Sequence, residues 1–148
     1  MTACPIVEAG LEHVPVLAAL HAECFPEKPW GEGAVAETLR MPGAFGLLAL
    51  GSDEAPAGFL LAWSKAGAAE IVAIGVRPGD RRRGVGRALV GAAIAQMAAS
   101  GAEELFLEVA EANHSAFALY CESGFVTIGR RQGYYGPASA ALVMKRRV

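Results

Sequence analysis

The stretch Ile74-Gly-Val-Arg-Pro-Gly-Asp-Arg-Arg-Arg-Gly-Val-Gly-Arg-Ala-Leu89, continued to Ser100, decides the fold. Ile71 to Val76 is β-branched or small and apolar, so it reads as a strand, and Pro78-Gly79 ends it. From Val85 the apolar residues return at helical spacing (Val85, Leu89, Val90, Ile94, Met97), and Gly101 stands where a helix ends. Between strand and helix lie Arg81, Arg82, Arg83, Gly84, Val85, Gly86 and Arg87. Glycines let backbone N–H groups close on a bulky anion, and a helix start adds partial positive charge. Five of the 13 Lys and Arg residues fall between Arg77 and Arg87, which marks a site for a phosphate-bearing ligand.

Elimination narrows the ligand. No Gly-x-x-x-x-Gly-Lys-Ser/Thr run exists, which removes a mononucleotide P-loop. Gly84-Val-Gly86 is followed by Arg-Ala-Leu, so the third glycine of a dinucleotide fingerprint is missing. The remaining pattern, Arg81-x-x-Gly84-x-Gly86 after a strand, resembles the pyrophosphate loop of the GNAT acyl-CoA N-acyltransferases. A solvated basic turn is the bland alternative.

Composition bounds the rest. A chain of 148 residues suits one domain, residues 1–148, with one sizeable core. The net charge is -2 and the positive charge is local, which fits a small anionic cofactor and not a nucleic acid. Cys4, Cys24 and Cys121 form no Cys-x-x-Cys pair, and His13, His21 and His114 lack ligand spacing, so no disulfide framework and no metal site is expected. The N-terminus carries no signal-like segment, and no apolar run approaches the ~18 residues of a membrane span. A cytoplasmic protein without membrane contact is the expectation.

In order, the chain reads as a strand over Cys4 to Glu8 and a helix opened by Pro15, with Val14, Leu17, Leu20, His21 and Cys24 inward. A loop follows over Phe25 to Gly33, in which Trp30 is either a core plug or part of a substrate wall. A short helix over Ala34 to Arg40 precedes strands at Ala44 to Leu50, Ala57 to Trp63 and Glu70 to Val76. After the long helix come a strand at Glu104 to Val109, a helix at Asn113 to Ser123, and strands at Val126 to Tyr134 and Ala138 to Lys145. This mixture is α+β, a mixed, mostly antiparallel seven-stranded sheet flanked by about four helices. It matches the GNAT layout end to end.

The second constellation is Leu105-Phe-Leu-Glu108-Val, then Asn113-x-x-Ala116-x-x-x-Tyr120-x-x-x-Gly124-Phe125. Alternation places Leu105, Leu107 and Val109 on one strand face and Phe106 with Glu108 on the other. A carboxylate within an apolar strand is costly to bury without a partner or a task. Each residue alone has a structural reading, a rim glutamate and a core tyrosine. Cys121, beside Tyr120, reads as packing.

Together with the arginine loop, these stretches resemble the GNAT branch that acetylates protein N-termini, the ribosomal-protein alanine N-acetyltransferases. Pro29-Trp30, Gly129-Arg-Arg-x-Gly-Tyr134-Tyr135 and the terminal Ala-Leu-Val-Met144 carry the resemblance further. It implies acetyl-CoA as co-substrate, its pantetheine arm along Ile74, Gly75 and Val76. It puts the pyrophosphate on Arg82, Arg83, Gly84, Val85, Gly86 and Arg87, and Asn113 on the CoA arm. Glu108 would be the general base, Tyr120 the general acid, and Trp30, Tyr134 and Tyr135 the aromatic walls of the amine entry. The implied acceptor is a protein N-terminal peptide of a ribosomal protein, the N-terminal alanine of protein S18. A small-molecule amine acceptor and a non-catalytic acetyl-CoA-binding module are the alternatives.

Two departures stand out. Glu70, fourteen residues before Gly84, resembles the catalytic glutamate of the histone-type branch and is a rival base. The acidic residue that the branch often carries before its terminal Ala-Leu-x-Met is here Ala140, after Ser139.

Overall fold

Alternation along the central strands sets the layers. On β3 (Pro56–Lys65) Leu60 and Ala62 enter one core while Phe59 and Leu61 enter another, and on β2 (Ala44–Leu50) Leu47 and Ala49 oppose Leu48 in the same way. A sheet buried on both faces needs helices on both. The computed structural model describes residues 4–51, 53, 55–132 and 140–148.

With β1 (Ile6–Ala9), β4 (Ala68–Val76), β5 (Glu104–Ala110), β6 (Val126–Gln132) and β7 (Ala140–Arg147), these strands form one sheet in the order β1-β2-β3-β4-β5-β7-β6. All neighbours are antiparallel except β4 and β5. On one face lie α1 (Val14–Cys24) and α2 (Glu32–Leu39), whose contacts reach β2, β3 and β4. On the other lie α3 (Val85–Ala99) and α4 (His114–Glu122), which close the larger core around Leu89, Met97, Leu105, Leu107 and Met144. The α+β architecture expected from the element order is the one observed.

Local chemistry sets the helix ends. Pro15 sits in the first turn of α1, where its missing N–H costs nothing. The inner face of α1 carries Val14, Leu17, Ala18, Leu20 and His21 into the smaller core. His21 is enclosed by Phe25, Trp30 and Phe59, with ring centroids at 4.8, 4.9 and 5.8 Å, and this burial lowers the pKa of its imidazole. The helix α2 begins at Glu32, two residues before the expected start, because the extended Gly31 serves as its cap.

Gly43 fixes the end of β3 that the site uses. Its φ is +81°, its carbonyl accepts from the Ser64 N–H at 3.0 Å, and a Cβ there would stand 2.0 Å from the Ser64 carbonyl oxygen. Backbone on both sides leaves no room to relax. We expect Gly43→Ala to destabilise the fold by about 1–3 kcal/mol, read as a lower denaturant midpoint.

Candidate active site

The parallel pair β4 and β5 makes an opening. Their ladder joins only Ala68–Glu70 to Glu104–Phe106, although β4 runs on to Val76 and β5 to Ala110. Beyond Glu70 no described strand pairs with the β5-facing edge of β4. A register shift opposite Leu61/Ala62 falls in the same part of β4, near Val72, and bulges of this kind bend a strand. The two strands therefore part as they approach α3 and α4, leaving the Ile74, Gly75 and Val76 backbone on a free edge.

The arginine loop closes the far end of that opening. Arg77 pairs with the buried Asp80 at 2.6 Å, and the Arg81 Nε donates to the Val76 carbonyl at 3.0 Å. These two arginines are spent on shaping the loop. Arg82 and Gly84 take φ of 65° and 81°, and such left-handed turns bring successive N–H groups to one concave side. Gly84 caps the 15-residue α3, whose N-terminal turn adds its partial positive charge. Arg82 and Arg83 are exposed, and Arg87 pairs with Glu122 across from α3 to the end of α4. Gly86 allows the close approach there, since a Cβ would stand 3.0 Å from Leu119. An elongated ligand with an anionic centre fits this frame, and acetyl-CoA is one. Arg82, Arg83 and the N–H groups at the start of α3 would hold its pyrophosphate, and the free edge of β4 its arm. Asn113 caps α4 by accepting from the Ala116 N–H at 3.2 Å, which commits its carbonyl oxygen to the helix and leaves its amide N–H groups.

Glu108 lies on β5 just past the end of its ladder with β4, and Tyr120 lies on α4 on the other side of the sheet. Leu105, Leu107 and Val109 are buried toward α3 and α4, while Phe106 and Glu108 face the side that α1 and α2 leave uncovered. Tyr120 projects from α4 into the larger core, 4% exposed and edge-on to Phe125 at 5.8 Å. Desolvation pushes its phenol up to about 12, so it keeps its proton at neutral pH. Cys121 is exposed, which corrects its reading as a packing residue: one position past buried Tyr120, the helix turns about 100° and carries it outward.

On the uncovered face is a cleft of about 380 Å³ lined by Trp63, Lys65, Glu70, Phe106, Glu108 and Arg131 among others. The two rival carboxylates share it. Burial raises the Glu70 pKa, the Trp63 indole N–H bonded to it opposes the shift, and the nearby Glu108 charge adds to it. Arg131 on β6 approaches Glu108 at 3.4 Å. Trp63 and Arg131 were not singled out as site residues from the sequence. Trp63 could have been found from the β3–β4 hairpin register, which puts it opposite Glu70. Arg131 stood in the Gly129-Arg-Arg-x-Gly motif with no role attached to it, because β6 reaches the site only through β7.

Trp30 lies elsewhere. It stacks on His21 with an interplanar angle of 17°, and its backbone N–H donates to the His21 Nδ1 at 3.0 Å. It packs on the smaller core and is absent from the cleft lining. Tyr134 and Tyr135 lie outside the described residues.

Comparison with known proteins agrees with this geometry. The acetyltransferase (GNAT) family model matches residues 14–125. The chain is 35% identical over 91 residues to the [ribosomal protein bS18]-alanine N-acetyltransferase of Salmonella typhimurium, covering 62% of each chain. It is 38% identical over 86 residues to the mycothiol acetyltransferase of Streptomyces scabiei, covering 49% of this chain and 28% of that one. The aligned stretches thus span less than two thirds of these relatives' own lengths. The crystal structure of the ribosomal-protein-S18-alanine N-acetyltransferase from Escherichia coli superposes with a TM-score of 0.89 at 24% identity, over 99% of this chain and 94% of that one, which shows the shared fold. With most of its length matched by the family model and the splayed β4–β5 pair in place, the chain belongs to the GNAT acetyltransferase family.

Proposed function

We propose that this chain transfers acetyl from acetyl-CoA to the N-terminal α-amine of a protein, in the cytoplasm, with the N-terminal alanine of ribosomal protein S18 as the favoured acceptor. The observation that carries the proposal is the opening between β4 and β5, with the Glu108 carboxylate on β5 just past the end of their ladder. The likeness to an alanine N-acetyltransferase of ribosomal protein bS18 supports the acceptor.

The residue chemistry follows from pKa values. An α-amine titrates near 8, so most of it arrives as ammonium. Glu108 takes a proton from it, directly or through water, and frees the lone pair for attack. Acetyl-CoA supplies the thioester carbonyl carbon, to which the N–C bond forms as the C–S bond breaks. Backbone N–H groups on the free edge of β4 face the charge growing on the carbonyl oxygen. Tyr120 gives its proton to the departing thiolate. Burial raises thiol and phenol together, so the desolvation that lifts Tyr120 also makes a thiolate beside it more basic. No covalent enzyme intermediate is needed.

The arginine loop makes a separate prediction. Arg82→Ala with Arg87→Ala should weaken acetyl-CoA binding at least about tenfold in calorimetry, since charge-assisted contacts to phosphate are lost. The fold should survive, because the exposed Arg87–Glu122 pair contributes only about 0–1 kcal/mol. Unchanged affinity in the double variant would remove the loop from the account.

A second reading, a small-molecule amine as acceptor, is favoured by the likeness to mycothiol acetyltransferase. Product detection with acetyl-CoA over a mixed panel separates the readings. Acetylated peptides support the first, acetylated small amines alone support the second, and no product from any amine leaves a binding module.

A further inference from the structure

Glu70 and Glu108 entered the sequence reading as rivals for one task, yet the fold brings them to one cleft on different strands. Glu70 pairs in register with Phe106, and Glu108 lies two residues further along β5, on the same face. Each carboxylate faces a residue of another strand: Trp63 of β3 stands opposite Glu70 in register, and Arg131 of β6 approaches Glu108 at 3.4 Å. The remaining charged group lining the cleft is Lys65, at the end of β3. Lys145 of β7 lies 5.9 Å from the Phe106 ring centre and is paired with Glu104.

Two like charges on facing strands oppose each other unless a cation comes between them. Arg131 approaches Glu108 at 3.4 Å and its charge also acts on Glu70, which stands opposite the Trp63 indole. Glu70 has no ion pair among the described residues, although Lys65 lines the same cleft, and a protonated amine has both the charge and the donors to meet it.

We propose that Glu70 is a specificity-determining residue: with Glu108 it forms a two-carboxylate seat for the ammonium form of the acceptor, and Trp63 is the positioning residue that holds Glu70 in that seat. The assignment rests on the reading of this cleft as the amine site. Within it the roles divide. Glu70 binds the ammonium, and Glu108 receives the proton as an N–H bond breaks and an O–H bond forms. The two carboxylates are partners, and Glu70 acts on binding more than on the chemical step.

The test measures binding, so it does not depend on turnover. Calorimetry in the presence of CoA compares an alanine-initiated peptide with the same peptide begun by a lactyl group, which puts a hydroxyl where the ammonium stood. The wild-type protein should prefer the amine, and Glu70→Gln should shrink that preference about tenfold, the scale of one charge-assisted contact. Trp63→Phe should shrink it less, and the double variant no more than Glu70→Gln alone, which a purely structural Trp63 would not produce. Glu70→Asp, which keeps the charge, should restore most of the preference, and melting curves check that each variant folds. An undiminished preference in Glu70→Gln, or additive losses in the double variant, would overturn the seat. If the wild type acetylates no amine, the proposed activity fails, while the preference ratio still decides the role of Glu70.

Discussion

Glu108→Gln should lower kcat by about 10²–10⁴-fold while acetyl-CoA still binds, the range that a general base contributes. The substitution keeps the volume and removes only the basic oxygen. The paired comparison is Glu70→Gln, which should raise KM for the amine more than it lowers kcat, because Glu70 is assigned to holding the ammonium. Both carboxylates line the same cleft, so distance from the site cannot explain a difference between them. Steady-state kinetics with the two substrates varied separately makes the measurement. If Glu70→Gln is the severe lesion in kcat and Glu108→Gln the mild one, the roles are reversed and the histone-type arrangement applies.

Tyr120→Phe should lower kcat by a similar ~10²–10⁴-fold with little change in acetyl-CoA affinity. The ring stays, so the edge-on contact with Phe125 and the packing of α4 on the larger core persist. Only the proton donor is lost. A second consequence concerns pH. With the phenol pushed up to about 12, its ionisation cannot produce an alkaline fall in rate below about pH 10, so a fall nearer 8 belongs to another group. Retention of full kcat in Tyr120→Phe would mean that the thiolate leaves unassisted or takes its proton from water.

Much of this was legible because it is written over short range. The strand Ala44–Leu50 was bounded as observed, since its apolar run lies between Pro42-Gly43 and Gly51. The helix from Val85 was legible from its spacing, whereas the left-handed cap at Gly84, read only as a loop glycine, came from the structure. What the sequence hid depends on pairing between distant segments. The strand β4 starts at Ala68, before Glu70, because Ala68–Glu70 is where parallel pairing with β5 draws the chain into the sheet. Glu70 itself read as a rival base at the start of a strand. Its place beside Glu108 follows from the β4–β5 register, which no local pattern encodes. Arg131 reaches the cleft because β7 inserts between β5 and β6. Trp30 shows the converse: its aromatic character was legible, but whether it faced the core or the cleft depended on the stacking partner His21, nine residues away.

The central claim is that the accepted nucleophile is an N-terminal α-amine. Mass spectrometry of one alanine-initiated peptide with an internal lysine, against the same peptide blocked at its N-terminus, tests it most directly. A single acetyl group is expected on the free N-terminal alanine and none on the blocked peptide. Equal product from both would move the reaction to the lysine side chain and contradict it, and product from neither, with small amines acetylated instead, would contradict it as well.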